Sequence, residues 1–491
     1  MFKAGAFPLS LSPLLSSAVF DLLVYLPLVV HSSTLNVLTI NIWNEGLGNQ
    51  IFLKFPDADE RLAEAIMSAN ISTGIVGLAE VRGLASWGGR WLGNNQRSMQ
   101  RLVTLLNKKE GSGKHLWHAA KQPNRLDVGL IFRNVVRNGE VSEDIKECEI
   151  LWPSKEKSSI AEVWPLSWDR GSVGGWCLTV FGAPYFIAVA HLDWGGLSKE
   201  YYTSYLQGEN KDSLFDGKAP IDATSTLSPV TKNALTKKLA SLEAAKSDKV
   251  KQVETVLRWA DELKAHKRIK GVMFMGDFNA PSHLDWTSDG NYTEERCTAS
   301  TDFVRLHIRK CLQVEWPVTK VLADGILSDT SNASTTMSDA FRIRWPDVAS
   351  NPGYTWPSFA DAVGVGFGSI PYTTKIDEID RIDYIMVDDA LLGAGSPRWN
   401  VLEATVVGGP LYVTKRPFFR VGDGPDKTHQ VSDLQSPEVA YLSEKAAYRW
   451  PSDHKAVLVT FAVEHGNTGD QNVVDGRNSA KAPTSNDRAE L

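Results

Sequence analysis

A mixed α/β fold is predicted by three features of this chain. Apolar runs of strand length alternate with segments whose apolar residues recur at helical spacing. Turns rich in Gly, Asn and Pro separate them. Several of the runs also end abruptly in Asn, Glu, Asp or His. Alternation of this kind packs helices against sheets. With 491 residues, 43% of them apolar and 16 of them tryptophan, the chain has ample material for a large core.

The elements follow in order. Leu35 to Trp43 reads as a buried strand with a polar exit, and Asp57 to Ala69 as a helix with Leu62, Ile66 and Ala69 on one face. A strand from Gly74 to Glu80 precedes a helix around Gln96 to Asn107, where Met99, Leu102, Val103 and Leu106 share a face. Further strands are expected at Val128 to Phe132, Cys177 to Phe181, Tyr185 to Ala190, Gly271 to Met275, Asp383 to Val387 and Ala456 to Phe461. A helix capped by Ser247 runs through Val250, Val253, Leu257 and Leu263. The basic stretch Lys264 to Lys270 reads as its solvated end, where cations suit the dipole.

Residues 1–33 resemble a hydrophobic leader. Lys3 is the only charge before Asp21, Leu22 to Val30 is apolar and broken only by Pro27, and Val30-His31-Ser32 offers a cleavage point. The run is too short for a spanning helix, so the expectation is a secreted or endomembrane protein. Residues 34–464 form the globular domain, with polar insertions near 208–228 and 408–447. Residues 465–491 lack large apolar side chains and are expected to be disordered.

A net charge of −6 argues against gripping nucleic acid by broad electrostatics. Cys148, Cys177, Cys297 and Cys311 fit neither a disulfide-dense scaffold nor a zinc site, although Cys297 and Cys311 could pair in an oxidising compartment. Asn70, Asn291 and Asn332 head Asn-x-Ser/Thr triplets that would accept glycans there.

The chemistry concentrates at strand exits. In Gly276-Asp277-Phe278-Asn279 an acid and an amide sit two apart, hence on one side of a strand, although a hairpin turn would use the same letters. Far downstream, Ser452-Asp453-His454 adds a second acid and an imidazole. Cleaving a phosphoester requires a positioned water and neutralisation of the phosphoryl oxygens, and a cation held by carboxylates supplies the latter. Mg²⁺ favours oxygen ligands, and one or two carboxylates with an amide suffice.

Six motifs occur in order: Leu38-Thr39-Ile40-Asn41-Ile42-Trp43, Ile75 to Glu80, Val189-Ala190-His191-Leu192, Gly276 to Asn279, Arg381-Ile382-Asp383-Tyr384-Ile385 and Ser452-Asp453-His454. Together they resemble the endonuclease/exonuclease/phosphatase (deoxyribonuclease I-like) superfamily. The resemblance implies a four-layer sandwich of two packed mixed β-sheets flanked by helices. It further implies Mg²⁺ (or Mn²⁺) at Glu80, with Asn41 and Asp453 nearby. Asp277 would activate the attacking water, Asn279 and His191 would hold phosphoryl oxygens, and Asp383 would orient a transition-state-stabilising His454. Asp380 competes for that orienting role, and Arg381 is an alternative partner for Asp383. The chain departs from the family pattern at Ala79, where Gln is common, at Trp43, where some members carry Asp, and at Ala190, where Thr or Asn is usual.

The expected activity is a metal-dependent phosphoester hydrolase, diester over monoester, acting as a monomer. A nuclease, a phosphomonoesterase on a small or lipid-linked phosphate, and a binding protein are the alternatives. Trp87, Trp91, Trp194, Tyr201 and Tyr202 would suit a membrane surface, or equally a core.

Overall fold

A computed structural model describes residues 32–42, 58–81, 95–111, 113–121, 127–149, 161–163, 172–192, 237, 248–285, 315–348, 350–351, 353–355, 381–393, 397–408, 452 and 454–464. Two seven-stranded sheets lie face to face. The first is built from β1 (Ser32–Asn41), β2 (Gly74–Ala79), β3 (His115–Ala119), β4 (Val128–Arg137), β5 (Glu140–Val141), β13 (Arg398–Val407) and β14 (Ala456–Glu464), in the order β13-β14-β1-β2-β4-β3 with β5 on β4. The second holds β6 (Ile145–Glu147), β7 (Ala161–Val163), β8 (Ser172–Val180), β9 (Ala183–His191), β10 (Val272–Asp277), β11 (Met337–Asp339) and β12 (Asp383–Asp388). Its order is β11-β12-β10-β9-β8-β6, with β7 also on β8. Each sheet has one parallel pair, β1 with β2 and β9 with β10; the other pairings are antiparallel.

Alternation of side chains across each strand makes the layers. Leu35, Val37 and Ile75 meet Ile187, Val189, Met273, Met275 and Ile385 between the sheets. Their neighbours Leu38, Ile40, Val76 and Leu78 face outward under α1 (Ala58–Ser68) and α2 (Asn95–Glu110). On the other side Phe186, Ala188, Phe274 and Met386 lie under α3 (Asp248–Ala265) and α4 (Pro317–Asp324). Strands covered on both faces read as continuous apolar runs, which is why these were legible. The result is helices, sheet, sheet, helices: the four layers expected. Two short helices, α5 (Ala340–Arg344) and α6 (Asp389–Leu392), complete the second half.

The strands missing from the sequence reading are β3, β5, β6, β7, β11 and β13, most of them at or beside sheet edges. Their faces are mixed in exposure, as in β13, where a register shift between Val401 and Glu403 leaves Leu402 on the surface. The expected strand at Cys177 to Phe181 begins earlier, at Ser172, and ends at Val180 because Phe181 (φ 48°) and Gly182 make the turn into β9. β1 reaches back to Ser32, just inside the segment read as leader. Lys267, Arg268 and Lys270 are exposed beyond the end of α3, as expected. The rest of the leader, both insertions, the tail, Ser247 and the five aromatics proposed for a membrane surface lie outside the described residues.

One disulfide was not foreseen. Cys148 and Cys177 form a disulfide that joins the end of β6 to β8, where Cys148 N–H also donates to the Cys177 carbonyl at 3.0 Å. The pairing could not be read from spacing, because it depends on cross-strand register. Cys297 and Cys311 lie outside the described residues.

Candidate active site

Strand direction gathers the polar exits at one pole. β1 and β2 run parallel, so Asn41 pairs beside Ala79, one residue before Glu80. Asp277, ending β10, is flanked in register by His191 of β9 and Asp383 of β12. The antiparallel strands β4, β8 and β14 begin at the same pole, which brings in Asp127, Ser172 and His454.

Asp277 is the centre. Its carboxylate is buried and accepts the Asn279 backbone N–H at 2.7 Å on Oδ1 and the Asn41 Nδ2 amide at 2.9 Å on Oδ2. The left-handed conformation of Asn279 (φ 48°), a region Asn tolerates, lets its N–H turn back to that carboxylate. Asn279 also donates through Nδ2 to the Leu192 carbonyl at 2.9 Å. At Gly276 (φ 132°) a Cβ would collide with the Ala190 backbone, so glycine lets β10 lie close to β9 just before the acid.

Two imidazoles flank Asp277, each steered by a carboxylate on Nδ1. His454 Nδ1 lies 2.9 Å from Asp383 Oδ2, and its Nε2 lies 3.8 Å from Asp277 Oδ2. His191 Nδ1 lies 2.6 Å from Asp127 Oδ2, and its Nε2 lies 3.6 Å from Glu80 and 4.0 Å from Asp277. A carboxylate on Nδ1 fixes the tautomer and aims Nε2 inward. Burial, reinforced by the charge of Asp383, pushes the Asp277 carboxyl above the ordinary range, against the pull of His454 and His191. For His191 burial opposes protonation, but Asp127, then Glu80 and Asp277, overcome it and raise the imidazole to about 9.

The expected residues therefore assemble, with one outside view: Asp453 is not among the described residues, nor is Asp380. Asp383 takes the orienting bond to His454, and the alternative pairing with Arg381 does not form. The Arg381 guanidinium, fully buried, instead binds Asp285 through Nε (2.9 Å) and Nη2 (3.0 Å) and Asp339 at 2.5 Å. Those acids hold Arg381 above its already high ordinary range despite burial.

Three contributors were not foreseen. Asp127 precedes its strand and so escaped a search of strand exits; the signal was its place opposite Glu80 at the start of an antiparallel neighbour. Ser172 Oγ donates to Asp127 Oδ1 and accepts the Asp127 N–H at 3.1 Å, securing that acid. Thr355 is fully buried. Its Oγ1 accepts the N–H groups of Ile382 (3.0 Å) and Asp383 (3.2 Å), and its carbonyl accepts that of Lys455 (2.7 Å), tying both halves of the His454–Asp383 pair to one residue.

The donor set suits a hard cation. Asn41 Nδ2 draws the Glu80 and Asp277 carboxylates together (3.2 and 2.9 Å), Asp383 pairs beside Asp277, and Asp383 Oδ1 is buried without a hydrogen-bond partner among the described residues. Asp277, Asp383 and His454 also place ligand atoms within 4.8 Å of one another. Because His454 Nδ1 is already committed to Asp383, that trio is arranged first for proton handling. Glu80 is the partly exposed carboxylate and sits in a left-handed conformation (φ 59°), unusual for a side chain of its kind.

No protein-family profile matches the chain. An uncharacterized protein of Caenorhabditis elegans is 36% identical over 85 residues, which is 17% of this chain and 19% of that protein. Among solved structures, TDP2 of D. rerio with a single-strand DNA product has a TM-score of 0.39 at 12% identity, covering 87% of this chain and 99% of that one. The human Nocturnin catalytic domain with bound sulfate has a TM-score of 0.34 at 13% identity, over 88% and 97% of the two chains. An endonuclease/exonuclease/phosphatase from Bacteroides vulgatus has a TM-score of 0.35 at 12% identity, over 88% and 100%. The four layers are those that the six sequence motifs imply, and one pole carries Asn41, Glu80, His191, Asp277, Asn279, Asp383 and His454.

Proposed function

We propose that the chain is a divalent-metal-dependent phosphoester hydrolase of the endonuclease/exonuclease/phosphatase type, acting on phosphodiesters. The observation that carries this reading is a buried Asp277 carboxylate set between two carboxylate-steered imidazoles.

Asp277 accepts a proton from the attacking water, a task suited to a carboxyl whose affinity for protons is raised. The Asn41 amide and the Asn279 backbone N–H fix the direction in which its oxygens face. His191, protonated through Asp127, and the Asn279 amide would hold the phosphoryl oxygens as they gather charge. His454 presents Nε2 to the same space and stabilises the charge that grows as the phosphorus–leaving-group bond breaks, while Asp383 holds its orientation. Mg²⁺ or Mn²⁺ bound at Glu80 and Asn41, with Asp453 close by, would supply further charge neutralisation.

The Cys148–Cys177 disulfide supports work in an oxidising compartment, in keeping with the leader-like residues 1–33. The negative net charge favours a small or lipid-linked diester over duplex nucleic acid.

The test is release of nitrophenol from bis(p-nitrophenyl) phosphate with Mg²⁺ or Mn²⁺, with and without chelator. Chelator-sensitive turnover is expected. Asp277→Ala should lower kcat by about 100- to 10,000-fold with unchanged circular dichroism. Folded wild-type protein without turnover on either metal would overturn the diester reading.

A further inference from the structure

The functional site leaves the three Asn-x-Ser/Thr triplets unused, and two of them, Asn70-Ile71-Ser72 and Asn332-Ala333-Ser334, lie among the described residues. Both lie on the surface and both belong to turns. Asn70 is exposed in the left-handed turn that closes α1, its N–H bonded to the Met67 carbonyl at 3.0 Å. Asn332 is exposed in the loop between α4 and β11, where it pairs in an isolated bridge with Ile326. Neither side-chain amide is engaged by a hydrogen bond among the described residues.

Their position in the sandwich is informative. Asn70 precedes Gly74, which begins β2, whereas Glu80 follows that strand's other end. Asn332 precedes Met337, which pairs with Asp388, the end of β12 remote from Asp383. Both triplets therefore occupy the pole opposite the candidate active site. At that pole Ile326, the most exposed large apolar side chain among the described residues at 54%, stands directly beside Asn332. A polar polymer on Asn332 would cover it.

From these positions, together with the Cys148–Cys177 disulfide, we infer that Asn70 and Asn332 are N-glycosylated while the chain enters an oxidising secretory compartment. The co-reactant is a lipid-linked oligosaccharyl diphosphate. The bond from sugar C1 to the diphosphate oxygen breaks, a bond from C1 to the asparagine Nδ2 forms, and one amide proton leaves with the lipid diphosphate. Carbohydrate at both sites would shield one pole and leave the opposite pole open to substrate. This inference stands apart from the hydrolase reading, since it uses no residue of that site.

The experiment is expression of the full chain in a secreting eukaryotic host, followed by peptide mapping after enzymatic deglycosylation in heavy-oxygen water. Heavy-oxygen aspartate is expected at positions 70 and 332. Asn70→Gln and Asn332→Gln should each remove one glycan-dependent gel shift, whereas Ser72→Thr and Ser334→Thr, which preserve the triplets, should keep it. The double Gln variant should retain the wild-type rate of diester hydrolysis and aggregate more readily. Should either Gln variant fail to fold, mapping of the wild-type protein still decides the matter. Secreted protein with unmodified Asn70 and Asn332, or retention of the chain in the cytosol, would overturn the inference.

Discussion

His454 and Asp383, 71 residues apart in sequence, meet through a 2.9 Å contact between Nδ1 and Oδ2 in a buried setting. Asp383 Oδ1 stays without a hydrogen-bond partner among the described residues. The pair therefore depends on one oxygen, and replacing it tests the orienting role cleanly. Asp383→Asn keeps the shape but can offer an N–H where His454 needs an acceptor. It should lower kcat by roughly 10- to 100-fold with little change in KM. Steady-state kinetics on bis(p-nitrophenyl) phosphate would show this, and a raised KM with unchanged kcat would assign Asp383 to substrate binding.

The second imidazole predicts a pH effect on stability. Burial disfavours charge on His191, but Asp127 leads the groups that raise it from 6.5 to about 9. A raised histidine contributes stability that is fully present below 6.5 and lost as pH rises through about 9. In chelated wild-type protein Tm should fall across that window. In Asp127→Asn the fall should be shallower, because the folded-state value moves back toward 6.5. Parallel melting curves for the two proteins would contradict the assignment.

Thr355 makes a separate prediction. Thr355→Val removes the oxygen that accepts the N–H groups of Ile382 and Asp383, leaving two buried donors unpaired. The cost should be about 1–3 kcal/mol in urea unfolding. Turnover should drop as well, because the lost hydroxyl anchors Asp383, which orients His454. Thr355→Ser should restore both, and a Val variant with native stability would show that the hydroxyl is dispensable.

Reducing the disulfide should lower stability and leave turnover alone. Cys148 and Cys177 are 29 residues apart, and their link constrains the unfolded chain. Its loss should cost roughly 2–4 kcal/mol in denaturant unfolding. The bridge lies on β6 and β8, away from Asp277, so kcat at low temperature should be unaffected.

The sequence made much of the fold and site legible, for identifiable reasons. Strands such as Val272–Asp277 are buried on both faces, so they read as unbroken apolar runs, and a polar residue at the end of such a run stands out. Asn41, Glu80, His191 and Asp277 were found that way. Edge strands such as β13 carry no such run. Asp127 sits before a strand, Thr355 acts mainly through backbone partners, and the Cys148–Cys177 pairing depends on register; each lies in tertiary geometry that local patterning does not encode.

The Asn41 amide, on the first sheet, reaches Asp277 of the second at 2.9 Å. Glu80 and His454 flank strands of the first sheet, whereas His191 and Asp383 lie in strands of the second. Neither sheet owns a complete set. Behind this pole the gap between the sheets is kept narrow by Gly77, where a methyl group would come within 2.6 Å of the Met275 sulfur. The polar groups of this pole thus sit on the two jaws of a caliper whose opening is set by apolar packing. On the proposed function, a change deep in the interior that altered the jaw spacing should lower turnover while every strand remained intact.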